Sequence, residues 1–190
     1  IIRAYNEEKH IEAVLGRVRS QEFDSGDLEI IVVDSGSQDK TVEIAKKSAD
    51  KVLHITPEDF TFGHALNAGI EASSGKYSVF LSAHCYPLSN QWLRNLLAPF
   101  KNERITCVYG KQRGVESSNF SEVQIFKNWF PNESVKIQKH PFCNNANAAI
   151  RKSAWVRRKY DETLTGLEDL DWAKRNLSNG DGCLSYTADA

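Results

Sequence analysis

The amino-acid sequence predicts an α/β fold with a mostly parallel central sheet flanked by helices. Short apolar, β-branched runs alternate with helix-patterned stretches from the first residues onward. The connections between successive runs are long enough for crossover helices, which makes right-handed parallel units the natural arrangement. Polar residues cluster where the runs end, and the carboxyl ends of strands are where open α/β sheets bind ligands.

Ile1-Ile2-Arg3 opens the chain as a strand, and Glu7 to Arg19 follows as a helix with Ile11, Val14, Leu15 and Val18 on one face. Asn6 is placed as its N-cap, with Glu7-Glu8 favoured in the first turn by the helix dipole. Leu28 to Asp34 is a near-continuous apolar run of the kind found in parallel strands covered on both faces. Ser35 to Thr41 then turns tightly into a helix through Ala49. Val52 to Ile55 is the next short strand, and Gly63 to Ser73 is helical, with Leu66 and Ile70 four residues apart. Tyr77 to Leu81 is a strand that ends abruptly in Ser82-Ala83-His84.

The second half is less regular. Gln91 to Phe100 reads as a helix, Thr106 to Lys111 as a strand, Asn119 to Trp129 as an aromatic-rich amphipathic helix, Glu168 to Leu177 as a final helix and Cys183 to Tyr186 as a short strand. Asn144 to Ile150 is too polar for core and too apolar for a linker, and carries no assigned element.

A chain of 190 residues that is 41% hydrophobic can bury one substantial core, so residues 1–190 are expected to form a single domain. The net charge of -1 gives no global attraction to nucleic acid or to an anionic membrane. The local basic run from Arg151-Lys152 to Arg157-Arg158-Lys159 is read as a solvated helix face. Four cysteines without a Cys-x-x-Cys pair argue against a zinc ribbon or a disulfide scaffold and fit a reducing cytosol. No run reaches the roughly 20 apolar residues of a membrane span, and no signal peptide opens the chain. Ile1 is not an initiator and the chain contains no methionine, so it is read as part of something longer at both ends.

Four polar clusters fall at strand ends or helix starts: Arg3 to Glu7, Asp34 to Ser37, Ser82 to His84, and Glu168-Asp169. In a parallel sheet the first three converge on one edge and bring together an aromatic ring, a carboxylate and an imidazole. A nucleoside diphosphate needs such a set: a ring to stack on the base, a carboxylate to accept from base or ribose, and a cation for the pyrophosphate. A dinucleotide-dependent oxidoreductase fits poorly, because Tyr5-Asn6-Glu7-Glu8 lacks the Gly-x-Gly-x-x-Gly that lets backbone approach a pyrophosphate.

These residues resemble the family-2 glycosyltransferases of the GT-A fold. The resemblance runs from Arg3-Ala4-Tyr5-Asn6-Glu7-Glu8 through Val32-Val33-Asp34-Ser35-Gly36-Ser37-x-Asp39-x-Thr41, Asn67-x-Gly69, Gly75 to Leu81 and Asn147 to Arg151, ending at Glu168-Asp169-x-x-Trp172. It implies transfer of a sugar, with inversion, from a UDP-, dTDP- or GDP-linked donor to a hydroxyl of a glycan or lipid-linked acceptor. The usual setting is bacterial polysaccharide or glycolipid assembly, cytoplasmic or at the inner face of the membrane with peripheral association. Residues 1–100 would form the nucleotide-binding half and 101–190 the acceptor-binding half.

On the same resemblance Ala4, Tyr5, Asn6, Glu7, Asp34, His64, Asn67, Ser82 and Ala83 would hold the nucleotide. Asn145, Asn147 and Trp172 would line the sugar or acceptor side, with Trp172 equally able simply to pack. Asp169 would be the general base, with Glu168 beside it, although Thr165-Gly166-Leu167-Glu168 also reads as a capping box. The family's metal-binding Asp-x-Asp here reads Ser82-Ala83-His84, so His84 becomes the metal ligand for Mn²⁺ or Mg²⁺. A neutral imidazole suits Mn²⁺ better than Mg²⁺. Transfer without a metal and a nucleotide-sugar-binding module without catalysis remain the alternatives.

Overall fold

The computed structural model describes residues 1–23, 26–114 and 119–190. Among them an eight-stranded sheet runs in the order β3-β2-β1-β4-β7-β5-β8-β6. The strands are β1 (Ile2–Ala4), β2 (Ile31–Asp34), β3 (Lys51–His54), β4 (Tyr77–Ser82), β5 (Ile105–Gly110), β6 (Val135–Gln138), β7 (Asn147–Arg151) and β8 (Cys183–Thr187). The helices are α1 (Ile11–Arg19), α2 (Thr41–Ser48), α3 (Phe62–Ala72), α4 (Trp92–Leu97), α5 (Phe120–Trp129), α6 (Lys152–Arg157) and α7 (Glu168–Ser178).

β3, β2, β1 and β4 are parallel, as is the β5–β8 pair, whereas β7 runs antiparallel to both β4 and β5. The sheet is covered on both faces. Ile2 and Ala4 of β1 pack with Ile11, Val14 and Leu15 of α1, while Leu66 and Ile70 of α3 pack with Phe80, Trp155 and Trp172 on the other side. The apolar runs of β2 and β5 are buried along their whole length, as a doubly covered sheet requires.

The helix expected from Glu7 starts at Ile11, and Asn6 does not cap it. Asn6 stands in the left-handed region at φ 54°, and the N-cap position is His10, with no side-chain cap. The Asn6 amide is drawn away by the neighbouring loop, as described below. The stretch expected to be helical from Gln91 to Phe100 is split into α4 and a 3₁₀ turn over Ala98–Lys101, where Pro99 interrupts the α-helical ladder. The unassigned stretch before Ile150 contains β7, inserted between β4 and β5. Alanines have little strand preference, and here the fully buried Ala148 and Ala149 are held extended by partners on both sides.

The basic run is a solvated face only in part: Arg157 and Lys159 are exposed, whereas Arg151, Lys152 and Arg158 are half-buried. Arg151 donates to the carbonyls of Ile105, Phe100 and Asn102, Lys152 to that of Ser73, Arg158 pairs with Asp181 and Lys159 with Glu71. These charges tie α6 and its flanks to the sheet edge and to α3.

Asn67 of α3 is 3% exposed and fully engaged. Its Nδ2 donates to Tyr160 O at 3.0 Å and Glu162 Oε1 at 2.7 Å, while its Oδ1 accepts from Trp155 Nε1 at 2.8 Å and Tyr160 N at 3.1 Å. An amide has two donors and two acceptor sites, and all four are used. Asn67→Ala would strand the buried Trp155 and Tyr160 groups, so it is expected to lower the unfolding free energy by about 3 kcal/mol. Urea unfolding, read as a lower midpoint at unchanged slope, checks this.

Candidate active site

The register levels three strand ends. Ala4 of β1 lies beside Asp34 of β2, and Arg3 beside Ser82 of β4. From β1 the chain adds β2 and β3 on one side and then crosses through α3 to β4 on the other, so the turns after β1, β2 and β4 border one crevice.

The turns after β1 and β2 are laced to each other. Asn6 N donates to Ser37 Oγ at 2.9 Å, and Asn6 Oδ1 accepts from Gln38 N at 2.8 Å. Glu7 N donates to Thr41 Oγ1 at 2.7 Å, Glu8 N to Asp39 Oδ2 at 3.1 Å, and Lys40 N to Glu8 Oε2 at 3.1 Å. The Ser37-x-Asp39-x-Thr41 pattern therefore has a structural job: it fixes the loop that carries Tyr5. Tyr5 stands 56% exposed with its ring free of protein stacking partners among the described residues.

Asp34 is fully buried. Its carboxylate accepts from the amides of Gly36 and Ser37 and lies 3.0 Å from Nδ1 of His54, the residue beside it in β3. His54 itself is largely exposed and occupies the outer end of the same edge. No sequence argument singled it out, although its place at the end of a strand paired with β2 was the available signal.

At the end of β4, Ser82 is partly accessible, and Ala83 is buried in the α1 side of the core together with Ala4. Neither alanine presents a side chain to the crevice. His84 is exposed, and its Nδ1 lies 2.7 Å from Glu7 Oε1. With that carboxylate ionised the ring donates from Nδ1 and leaves Nε2 outward, the arrangement that orients a metal-ligating imidazole. Among the described residues no group of three or more His, Cys, Asp or Glu side chains could hold a metal ion. The donor set thus fits a cation held by one imidazole and otherwise by ligand oxygens and water, not a protein cage.

Glu168 and Asp169 open α7. Leu167, at φ 62°, occupies the N-cap position without a side-chain cap, so the capping-box reading of Thr165 to Glu168 is not realised. Glu168 is 5% exposed; its Oε1 lies 3.8 Å from Arg3 Nη1 and 3.4 Å from Asn145 Nδ2. Asp169 accepts from the amides of Leu170 and Asn145. Burial pushes the Glu168 carboxyl above the ordinary range, helped by the adjacent Asp169 charge, and burial does the same to Asp169. These are carboxylates poised to take a proton, placed against the strand that leads into Tyr5.

Other expected site residues lie elsewhere. Trp172 is 1% exposed, donates from Nε1 to Arg158 O and stacks on Tyr160 at 5.6 Å, so it packs in the core. Asn147 is buried, accepting from Trp92 Nε1 and donating to Lys111 O, which makes it a clamp between α4 and the residue after β5. Asn145 is buried too, and brackets Glu168 and Asp169 from behind. Asn67 serves the packing described above; its neighbour His64, partly exposed, pairs with Glu162 at 2.9 Å. The helical pitch put both residues on one face, and that face meets the segment before α7.

The sequence is 31% identical over 187 residues to the glycosyltransferase AglE of Haloferax volcanii, covering 95% of this chain and 61% of the relative. It is 26% identical over 176 residues to the O-antigen chain rhamnosyltransferase WbaN of Salmonella anatum, covering 85% and 55%. The chain thus spans little more than half the length of these curated relatives. Among solved structures, S. aureus TarS 1-349 in complex with UDP-GlcNAc superposes with a TM-score of 0.75 at 18% identity, over all of this chain and 55% of that one. The mannosyltransferase PcManGT from Pyrobaculum calidifontis, in complex with GDP-Man and Mn2+, gives 0.74 at 20% identity, over 96% and 55%. The fold is GT-A. The model of "Glycosyl transferase family 2" matches residues 1–165, and with these strands, turns and strand-end residues in place the chain belongs to that family.

Proposed function

We propose that this chain transfers a sugar, with inversion, from a UDP-, dTDP- or GDP-linked donor to a hydroxyl of a glycan or lipid-linked acceptor in polysaccharide or glycolipid assembly. The observation that carries the reading is the Glu168–Asp169 pair, Glu168 buried and Asp169 half-buried, bracketed by Asn145 and lying beside Arg3 of the strand that leads into Tyr5. Residues 1–100 supply the nucleotide side and 101–190 the acceptor side, and the reaction belongs at the cytoplasmic face of a membrane. Among the described residues no helix is long and apolar enough to cross one.

Tyr5 stacks on the base, and the outer ends of β2 and β3, including His54, border the base and ribose. Asp34 acts through the turn and the imidazole it holds. Asp169 accepts the proton of the acceptor hydroxyl as that oxygen bonds to the anomeric carbon. The bond from that carbon to the diphosphate breaks, and its electron pair leaves with the nucleoside diphosphate. His84, in the place of the Asp-x-Asp of its relatives, would hold a divalent cation through Nε2, with Ser82 beside it. The cation would supply charge neutralisation for the departing diphosphate. The reading that a divalent cation takes part is supported by PcManGT and a mycobacterial glucosyl-3-phosphoglycerate synthase, both crystallised with Mn2+.

A thermal-shift screen of nucleotide sugars identifies the donor. Asp169→Asn is expected to lower kcat/KM for that donor at least about 100-fold while nucleotide affinity stays near wild type. Normal turnover by this variant would end the base assignment. Mn²⁺ is expected to tighten nucleotide binding in calorimetry, and His84→Ala to remove roughly tenfold or more of that gain. Equal affinities with and without Mn²⁺ in both proteins would instead favour transfer without a metal.

A further inference from the structure

Two partly buried arginines stand in contrast. Arg151 is bonded through all three nitrogens: Nε donates to Ile105 O at 2.7 Å, Nη2 to Phe100 O at 2.5 Å and Asn102 O at 3.1 Å, and Nη1 to Tyr77 Oη at 3.3 Å. That is an arginine kept for the fold. Arg3 is different. Its side chain is 14% accessible, and its Nε and Nη1 are fully enclosed without a hydrogen-bond partner. Among the described residues its ion pair is with Glu168, and at 3.8 Å it is too long for a hydrogen bond. An enclosed guanidinium so poorly paired destabilises the fold, and an apolar side chain of the same size would pack there at less cost.

Its placement offers the reason. Arg3 sits mid-strand in β1, hydrogen-bonded in register beside Val33 and Ser82, so its stem cannot drift. The Phe62 ring of α3 lies 5.2 Å from its guanidinium carbon and closes one side. The titratable groups that face it are Glu168 and Asp169 of α7, Tyr160 of the preceding segment and Cys85 after β4. Asn145 faces the same two carboxyls from behind, and Cys143 donates to the Asp169 carbonyl. His64, in the first turn of α3, pairs with Glu162 of the segment before α7. Arg3 is the cation that opposes burial at both Glu168 and Asp169.

We propose that Arg3 is a positioning residue for the Glu168–Asp169 pair, a fixed positive charge in β1 that holds the pair anionic and aimed at the acceptor hydroxyl. This rests on the reading of Asp169 as general base. The guanidinium works through the carboxylates, and the missing hydrogen bonds follow from that use: a tight bidentate grip would bind Glu168 as a structural ion pair and draw the pair away from the crevice.

The test follows the carboxyl titrations directly, by NMR of protein labelled with carbon-13 at Asp and Glu carboxyls. Arg3→Gln is expected to raise the titration midpoints of Glu168 and Asp169, whereas Arg3→Lys, which keeps the charge, stays close to wild type. The acidic limb of the pH profile of nucleotide release from the donor should move upward with them. The loss in kcat/KM should then be roughly tenfold greater near about pH 5.5 than near about pH 8. Arg3→Met keeps the stem against Phe62 and buries no polar group, so it gives the same reading where the glutamine variant does not fold. Unmoved midpoints, with activity reduced by one factor at every pH, overturn the proposal and make Arg3 a packing residue. The titrations need no turnover, so they judge Arg3 even if Asp169→Asn shows that the base lies elsewhere.

Discussion

The parallel register that levels the ends of β1, β2 and β4 is the constraint on which the rest of the structure depends. Because Ala4 lies beside Asp34 and Arg3 beside Ser82, each strand delivers its next residues at the same height. A parallel ladder alone would leave the turns beyond it free to splay. The bonds from Asn6 to Ser37 and Gln38, and from Glu7 and Glu8 to Thr41 and Asp39, prevent that. Much of the motif that resembles a nucleotide-binding signature is therefore scaffolding one step removed from a ligand, which leaves Tyr5 and His84 as the groups presented outward.

Electrostatics divide the molecule in a similar way. Charges on the sheet edge and on α6 are matched to carbonyls or single partners, and they behave as structural clamps. Around Glu168 and Asp169 the matching is incomplete. A buried carboxyl and a half-buried one stand side by side with, among the described residues, a loosely paired guanidinium and amide donors from Asn145 and Leu170. Burial favours their protonated forms, so stability contributed there is present below the ordinary carboxylate range and is lost as the pH rises through the raised pKa. A site arranged this way gives up stability at neutral pH for carboxylates ready to accept a proton.

Much of this was legible in the sequence. The front half, with its alternating β-branched runs and crossover-length connections, gave its strands and helices in order, and the polar strand ends gave the crevice. The departures of local structure from expectation have particular causes. Asn6 has the chemistry of an N-cap, but its amide finds better partners across the crevice in Ser37 and Gln38. Asn67, Asn147 and Trp172 carry groups that suit sugar recognition, and those same groups satisfy buried neighbours on elements far away in the chain. β7 escaped notice because alanines acquire strand geometry only from the partners on either side.

By itself the sequence determined the fold class, the family resemblance and the cluster of chemistry at the strand ends. Periodicity, turn residues and motif order are local properties, and they survive without knowledge of what touches what. Tertiary structure decided which polar side chains face the crevice and which are consumed within the protein, since a hydrogen bond between residues scores apart depends on packing and not on spacing. It also decided the meaning of Arg3. In the sequence it is one basic residue in an apolar strand; in the fold it is an unsaturated guanidinium held beside the carboxylates at the head of α7.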